Sequence, residues 1–145
     1  MVVTGGTGAL GPAGWEGQIA LNMTSAAYMM RAVLPGMIAR GGGRIVAVSG
    51  RAALRPFAGS AAYAASKAGL LALVGAAAED VKHDGVTVNC VLPSVIDTPA
   101  NRGAQPDADP GRWVRPTEIG EAVAFLLSEG ASAVTGAAIP VYGRA

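Results

Sequence analysis

Tyr63 and Lys67 are the residues whose types and spacing point most directly to chemistry. Four positions apart on a helix, a phenol and an ammonium share one face. A cation beside a phenol stabilises phenolate and lowers its pKa, which lets the tyrosine trade a proton with a carbonyl or an alcohol near neutral pH. A bare Tyr-x-x-x-Lys also describes an exposed lysine beside a packing tyrosine, so the surroundings decide. The pair follows Gly43-Arg-Ile-Val-Ala-Val-Ser49 and precedes Val88-Asn-Cys-Val-Leu-Pro93, at the spacing of a strand-helix-strand unit. A second candidate is Thr4-Gly5-Gly6-Thr7-Gly8-Ala9-Leu10-Gly11. Gly5, Gly8 and Gly11 let the backbone turn tightly and approach a pyrophosphate, and amides at the start of a following helix attract its charge. The plainer reading is a flexible glycine-rich turn; the strand-like run before it favours the phosphate loop.

These groups need elements to position them. Residues 2–4 read as a short buried strand ending at Gly5. Across residues 15–40, Ile19, Met23, Ala26, Met30 and Val33 recur at helical spacing and predict one long helix. Pro35 should bend or shorten its last part, and Gly41-Gly42-Gly43 should stop it. Residues 44–49 predict a second strand, 60–83 an alanine-rich helix closed by Asp84-Gly85, and 86–92 a third strand. Residues 93–116 hold five prolines and predict a long loop, a feature that is usually functional in a compact domain. Thr117 is expected to cap a helix reaching about Ser128, and residues 137–142 to form the last strand. Strands alternating with helices argue an α/β fold with a parallel sheet.

The composition narrows the function classes. The 145 residues suit a single domain, 1–145, and 51% hydrophobic against 14% charged residues excludes disorder. A formal charge of +1 has no strong sign, so no nucleic-acid or anionic-membrane partner is expected. His83 is the only histidine, placed at a helix end where partial positive charge is favoured; it reads as a cap, and no metal site is expected. Cys90 has no partner for an internal disulfide, suits a reducing cytosol, and sits in a strand as a small core residue. No charged and apolar leader pattern opens the sequence, and the apolar stretch at 70–78 is too short to span a bilayer. The expectation is a soluble, cytoplasmic protein.

From residue 15 to residue 143 the chain resembles the C-terminal half of a short-chain dehydrogenase/reductase. The resemblance implies a Rossmann-like parallel sheet flanked by helices, here truncated to about four strands. It also implies NAD or NADP as cofactor, with hydride passing between the nicotinamide and a small carbonyl or secondary alcohol. By resemblance Tyr63 is the general acid/base, and Lys67 holds the nicotinamide ribose and tunes Tyr63. Asn22, in Ala20-Leu21-Asn22, would hold a water in a proton relay to Lys67. Its plainer reading is a helix-interior amide bonded to a nearby carbonyl. Pro93-Ser94-Val95-Ile96-Asp97-Thr98-Pro99 resembles the family's Pro-Gly segment, with Ser94 in place of the commoner glycine. Pro93, Ile96 and Thr98 would then border the cofactor, Ile96 near the carboxamide and Thr98 bonding the carboxamide or a phosphate. Thr98 also reads as a helix cap. Val134-Thr135-Gly136 resembles the turn entering the family's last strand and is read as structural. The family commonly pairs through the helices corresponding to 15–40 and 60–83, so a homo-oligomer is expected.

Two departures from the family pattern matter. The catalytic serine of the family lies thirteen residues before the tyrosine, and that position is Gly50. Losing a hydroxyl aimed at developing negative charge costs on the order of a hundredfold in rate or more. Ser49 is a catalytic candidate in its place only if the strand end shifts by one residue, because adjacent strand residues point to opposite faces. Between Gly11 and Trp15, moreover, the family's helix, two further strands with their helices, the acidic residue for adenosine and an Asn-Ala-Gly turn are absent. The strand at 2–4 therefore reads as the family's first by sequence and its fourth by connection. Crossovers of one hand would put every helix on one face, leaving the other open unless the last helix crosses over or a partner covers it. Arg51, Arg55, Arg102 and Arg115 flank the expected cleft, either to meet an anionic group or as ordinary surface charge. Two function classes follow: an oxidoreductase of impaired activity, or a non-catalytic relative acting as an oligomerising or regulatory protein.

Overall fold

Three apolar runs, Gly43–Val48 (β1), Val86–Pro93 (β2) and Ala138–Val141 (β3), pair in parallel in the order β1-β2-β3. Ile45 stands opposite Val88, Ala47 opposite Cys90, and Cys90 in turn opposite Ala138. The structure is a computed structural model that describes residues 12–144. The fourth strand expected at residues 2–4, and Gly5, Gly8 and Gly11, lie outside the described residues. Among those described, the sheet has three strands.

β2 is buried along its whole length, and its two polar residues, Thr87 and Asn89, are buried with the rest. Val86, Val88, Cys90 and Leu92 meet Leu70, Val74, Ala77, Ala78 and Val81 of a long helix, α3 (Ala61–Val81), with Met30 at the margin. Strand residues alternate in direction, so Thr87, Asn89 and Val91 face the other side. There α5 (Pro116–Leu126) lies against all three strands, and its Leu126 is buried. The chain steps across the sheet in one direction while α3 and α5 cover opposite faces, so the two crossovers have opposite hands. Of the sequence alternatives, the last helix crossing over is the one the fold adopts.

The helix expected at 15–40 is divided. Pro12–Ile19 forms α1, Ala20–Thr24 a π-helical turn, and Ser25–Ala39 forms α2. Pro35 lies inside α2 without ending it, and the helix stops where Gly41 turns to φ 70°. Gly85, at φ 68°, touches that stop: a Cβ there would lie 2.6 Å from the Gly41 carbonyl oxygen. The two loops that lead into β1 and β2 are thus packed backbone to backbone. By length and a mean hydropathy of 1.4 alone α3 would suit a membrane span, but its apolar residues are those that cover β2.

The segment 93–116, expected as loop, contains a helix, α4 (Pro99–Ala104), and a 3-10 turn at Pro110–Arg112. Its two ends are tied by an isolated parallel bridge between Ile96 and Val114. Arg115, not Thr117, precedes α5: its backbone N–H donates to the Glu118 carboxylate at 2.8 Å, and its guanidinium pairs with the same group at 2.9 Å. The turn before β3 is structural. Asn89, fully buried, donates to the Val134 carbonyl at 2.7 Å and accepts from the Ala137 N–H at 3.0 Å. The Thr135 hydroxyl accepts from the Val88 N–H at 3.1 Å.

Candidate active site

The site forms where β1 ends against the first turns of α3. Past Val48 the chain passes through Ser49 and Gly50 into a 3-10 turn, Arg51–Ala53. Ser49 is 4% exposed; its N–H donates to the Val91 carbonyl at 2.9 Å and its hydroxyl to the Lys67 carbonyl at 3.0 Å. Gly50 faces the other way. A Cβ built on it would lie 2.9 Å from Tyr63 Oη. Ser49 is therefore not brought to the phenol: the strand end does not shift, and its hydroxyl is engaged by helix backbone.

Lys67 Nζ stands 5.8 Å from the centroid of the Tyr63 ring and donates to the Val48 carbonyl at 2.9 Å. Burial raises the Tyr63 phenol above its ordinary 10.0, and burial likewise lowers the Lys67 ammonium below 10.5. The sequence expectation that Lys67 lowers the phenol pKa is corrected in this arrangement, because the ammonium bonds a strand carbonyl and not Oη. Asn22 lies in the π-helical turn, a distortion frequent at functional sites. Its amide donates to the Gln18 side chain at 2.7 Å and to the Ser66 hydroxyl at 3.1 Å. Ser66, fully buried, donates in turn to the Tyr63 carbonyl at 2.8 Å. Asn22 thus binds side chains rather than the backbone carbonyl of its plainer reading. Gln18 and Ser66 escaped the sequence reasoning; the signal for Ser66 was a polar residue on the buried side of an otherwise apolar turn, three after Tyr63.

Tyr63, Pro93 and Ile96 line one cleft of about 600 Å³, together with Arg51, Arg55, Phe57, Asn101 and Gln105. Asn22 and Lys67 do not line it; their bonds engage the helical turn that carries Tyr63 and the strand end beside it. Thr98 caps α4, accepting from the Asn101 N–H at 3.2 Å, and Ser94 donates its hydroxyl to the Tyr142 carbonyl at 2.6 Å. Arg102 and Arg115 belong to a separate cleft of about 640 Å³ with Asp97 and Glu118. Arg102 grips Asp97 through two bonds, 2.6 and 2.8 Å. Cys90 is fully buried, and burial pushes its thiol pKa up, which leaves it a core residue.

The sequence family described as enoyl-(acyl carrier protein) reductase matches residues 3–143. Cis-4-hydroxycyclohexanecarboxylate dehydrogenase of Sinomonas cyclohexanicum is 37% identical over 139 residues, covering 90% of this chain and 56% of the relative. The 3-oxoacyl-[acyl-carrier-protein] reductase FabG of Vibrio cholerae is 36% identical over 137 residues, 89% of this chain and 56% of its own length. Among solved structures, a short-chain dehydrogenase/reductase family oxidoreductase from Burkholderia thailandensis superposes with a TM-score of 0.85 at 34% identity, over 93% of this chain and 57% of that one. This chain spans a little over half the length of the curated relatives it matches. The match across nearly all its residues, the shared fold, and the Tyr63 and Lys67 pair between β1 and β2 agree: the chain belongs to the short-chain dehydrogenase/reductase family.

Proposed function

We propose that this chain is an NAD(P)-dependent oxidoreductase that interconverts a small carbonyl compound and its secondary alcohol, with activity reduced by the glycine at position 50. The observation that carries the reading is Tyr63 on the wall of a cleft, with its Oη against Gly50 and with Pro93 and Ile96 in the same lining. A cleft of about 600 Å³ is of the size that takes small molecules, and its Pro93-Val95-Ile96 wall fits the flat face of a nicotinamide. Gly5, Gly8 and Gly11 would hold the pyrophosphate; Lys67 would hold the ribose and Thr98 the carboxamide. The nicotinamide, when bound, supplies or accepts the hydride. Tyr63 donates the proton to the carbonyl oxygen in reduction and takes it back in oxidation, and its burial keeps the phenol protonated for the first task. Asn22 and Ser66 hold the helical turn that aims Tyr63.

The setting proposed is cytoplasmic, which the unpaired Cys90 suits. Self-association through the helices at 15–40 and 60–83 is part of the proposal, supported by Leu21, Tyr28 and Met29, exposed at 71%, 66% and 66%. A second reading, a non-catalytic oligomerising or regulatory relative, is favoured by one feature: no hydroxyl stands at position 50. Fluorescence titration of the folded chain with NADH and with NADPH separates the two. Saturable binding supports the oxidoreductase, and absence of binding at about millimolar cofactor leaves the non-catalytic reading.

A further inference from the structure

We propose that Gln18 is a positioning residue for Tyr63: by accepting from Asn22 it sets a one-way chain of hydrogen bonds that ends on the Tyr63 carbonyl and fixes where the phenol points. This rests on the reading of Tyr63 as the proton donor to the substrate. The chain has three bonds. Asn22 Nδ2 donates to Gln18 Oε1 at 2.7 Å and to Ser66 Oγ at 3.1 Å, which spends both of its hydrogens. Ser66 Oγ has a single proton, and it goes to the Tyr63 carbonyl at 2.8 Å. The direction matters because a side-chain amide can be turned over. Reversed, Asn22 would present Oδ1 to Ser66 and draw that one proton away from the Tyr63 carbonyl. Gln18, offering its oxygen, holds the Asn22 nitrogen toward Ser66.

Ser66 is fully buried, so a bond lost there is not replaced by bulk water. A serine that bonds back to a carbonyl of the preceding turn bends its helix slightly. Tyr63 lies in the first turn of α3, where such a bend moves Oη relative to Gly50. The packing around the chain is separate from it. α1 and the π-helical turn both rest on α3. Met23, next to Asn22, seats in a notch at Gly69, where a Cβ would overlap the Met23 sulfur. Gly69 lies three residues after Ser66 and so on the same face of α3. An apolar seat and a polar chain thus fasten one stretch of helix. Gln18 is only half-buried, and removing its amide leaves the Met23 seat intact. Its effect on Tyr63 therefore passes through Asn22 and Ser66, not through the core.

The test uses Gln18→Leu, which removes the acceptor, and Gln18→Glu, which keeps it, each in the parent chain and in Ser66→Ala. Reduction of a neutral methyl ketone with NADH or NADPH gives kcat and KM. Carbon-13 NMR of chains labelled at the tyrosine Cζ reads the phenol directly, with the Tyr63 signal assigned by Tyr63→Phe. Gln18→Leu should lower kcat about tenfold, the worth of one hydrogen bond, with little change in KM. It should also move the Tyr63 signal while those of Tyr28 and Tyr142 stay in place. Gln18→Glu should recover most of the rate and the parent signal, and in Ser66→Ala the change to Leu should add nothing. An unmoved Tyr63 signal in Gln18→Leu, a Gln18→Glu chain that behaves like Gln18→Leu, or an equal loss in the Ser66→Ala background would overturn the proposal. A Tyr63 signal that follows Gln18 in a chain without turnover would sink the oxidoreductase and keep Gln18 in its role. Turnover with a Tyr63 signal indifferent to Gln18 would do the reverse.

Discussion

Gly50→Ser should raise the rate of carbonyl reduction about a hundredfold. Gly50 is extended, at φ −175° and ψ 160°, a conformation open to any residue, so the backbone needs no adjustment. The new Cβ would stand 2.9 Å from Tyr63 Oη, closer than van der Waals contact allows. The atom that must yield is the far end of a side chain, and a shift of a few tenths of an ångström in the phenol removes the overlap. The serine hydroxyl, one bond further out, then lies beside Oη and can donate to the oxygen on which charge develops. A single donor of that kind contributes about 3 kcal/mol to the transition state, or roughly 10²-fold in rate. Replacing glycine by a residue that fits also narrows the unfolded ensemble, for about 0.4–1 kcal/mol of added stability.

The assay is kcat/KM for reduction of a neutral methyl ketone, followed by loss of NADH or NADPH absorbance. Gly50→Ala is the control, since it supplies the same Cβ and the same displacement of Tyr63 without a donor. Gly50→Ser should exceed both the parent and Gly50→Ala. A folded Gly50→Ser chain no faster than Gly50→Ala would falsify the view that position 50 holds the place of a carbonyl-polarising serine.

Ser49→Ala removes a buried bond to helix backbone and should cost about 1 kcal/mol in urea denaturation while leaving turnover within a factor of two or so; a larger loss of rate than of stability would return Ser49 to the chemistry. Asn89→Ala leaves the part-buried Val134 carbonyl and Ala137 N–H without their side-chain partner and should cost about 1–3 kcal/mol, read by the same method. Tyr28→Glu combined with Met29→Lys should shift the species seen by light scattering from oligomer to monomer across a concentration series; a parent chain already monomeric throughout removes the proposed interface.

Much of this fold is legible because short-range rules decide it. The β-branched run at 44–48 and the glycines at 41 and 85 mark β1, its entry and the start of β2 without reference to the rest of the chain. The orientation of Gly50 relative to Ser49 is legible too, since strand alternation forbids both from facing Tyr63. Three features were not, or only in part. The π-helical turn at Ala20–Thr24 inserts one extra residue around Asn22, and helical periodicity carries no mark of it over so short a span. α4 was legible only at its start: Thr98 reads as a cap and Pro99 takes the helical position that proline favours, while the count of prolines in 93–116 masked the turns that follow. The side of the sheet on which α5 packs depends on how the chain from 94 to 115 crosses the end of β2, a three-dimensional matter that local pattern does not encode.

Lys67 joins the chemistry to the fold, and its titration is a way to see that. Lys67 donates to the carbonyl of Val48 while Ser49, the next residue, donates to the carbonyl of Lys67. These reciprocal bonds clamp the end of β1 onto α3, and the clamp fixes Gly50 opposite Tyr63. The ammonium is held there at the expense of hydration, which lowers its pKa below 10.5. A depressed folded pKa means that the unfolded chain binds the proton more tightly, so stability rises with pH between the folded value and 10.5. Tyr63 acts in the opposite sense: its raised pKa gives stability that is complete below 10.0 and lost as pH climbs through the folded value. Lys67→Met should remove the rise between the folded value and 10.5 in urea denaturation followed upward from neutral pH, and leave in place the fall that belongs to Tyr63. A rise that persists in Lys67→Met would assign it to some other group. A flattened rise would place the lowered pKa on Lys67 and show that the strand-end contact holds the ammonium at the expense of its hydration.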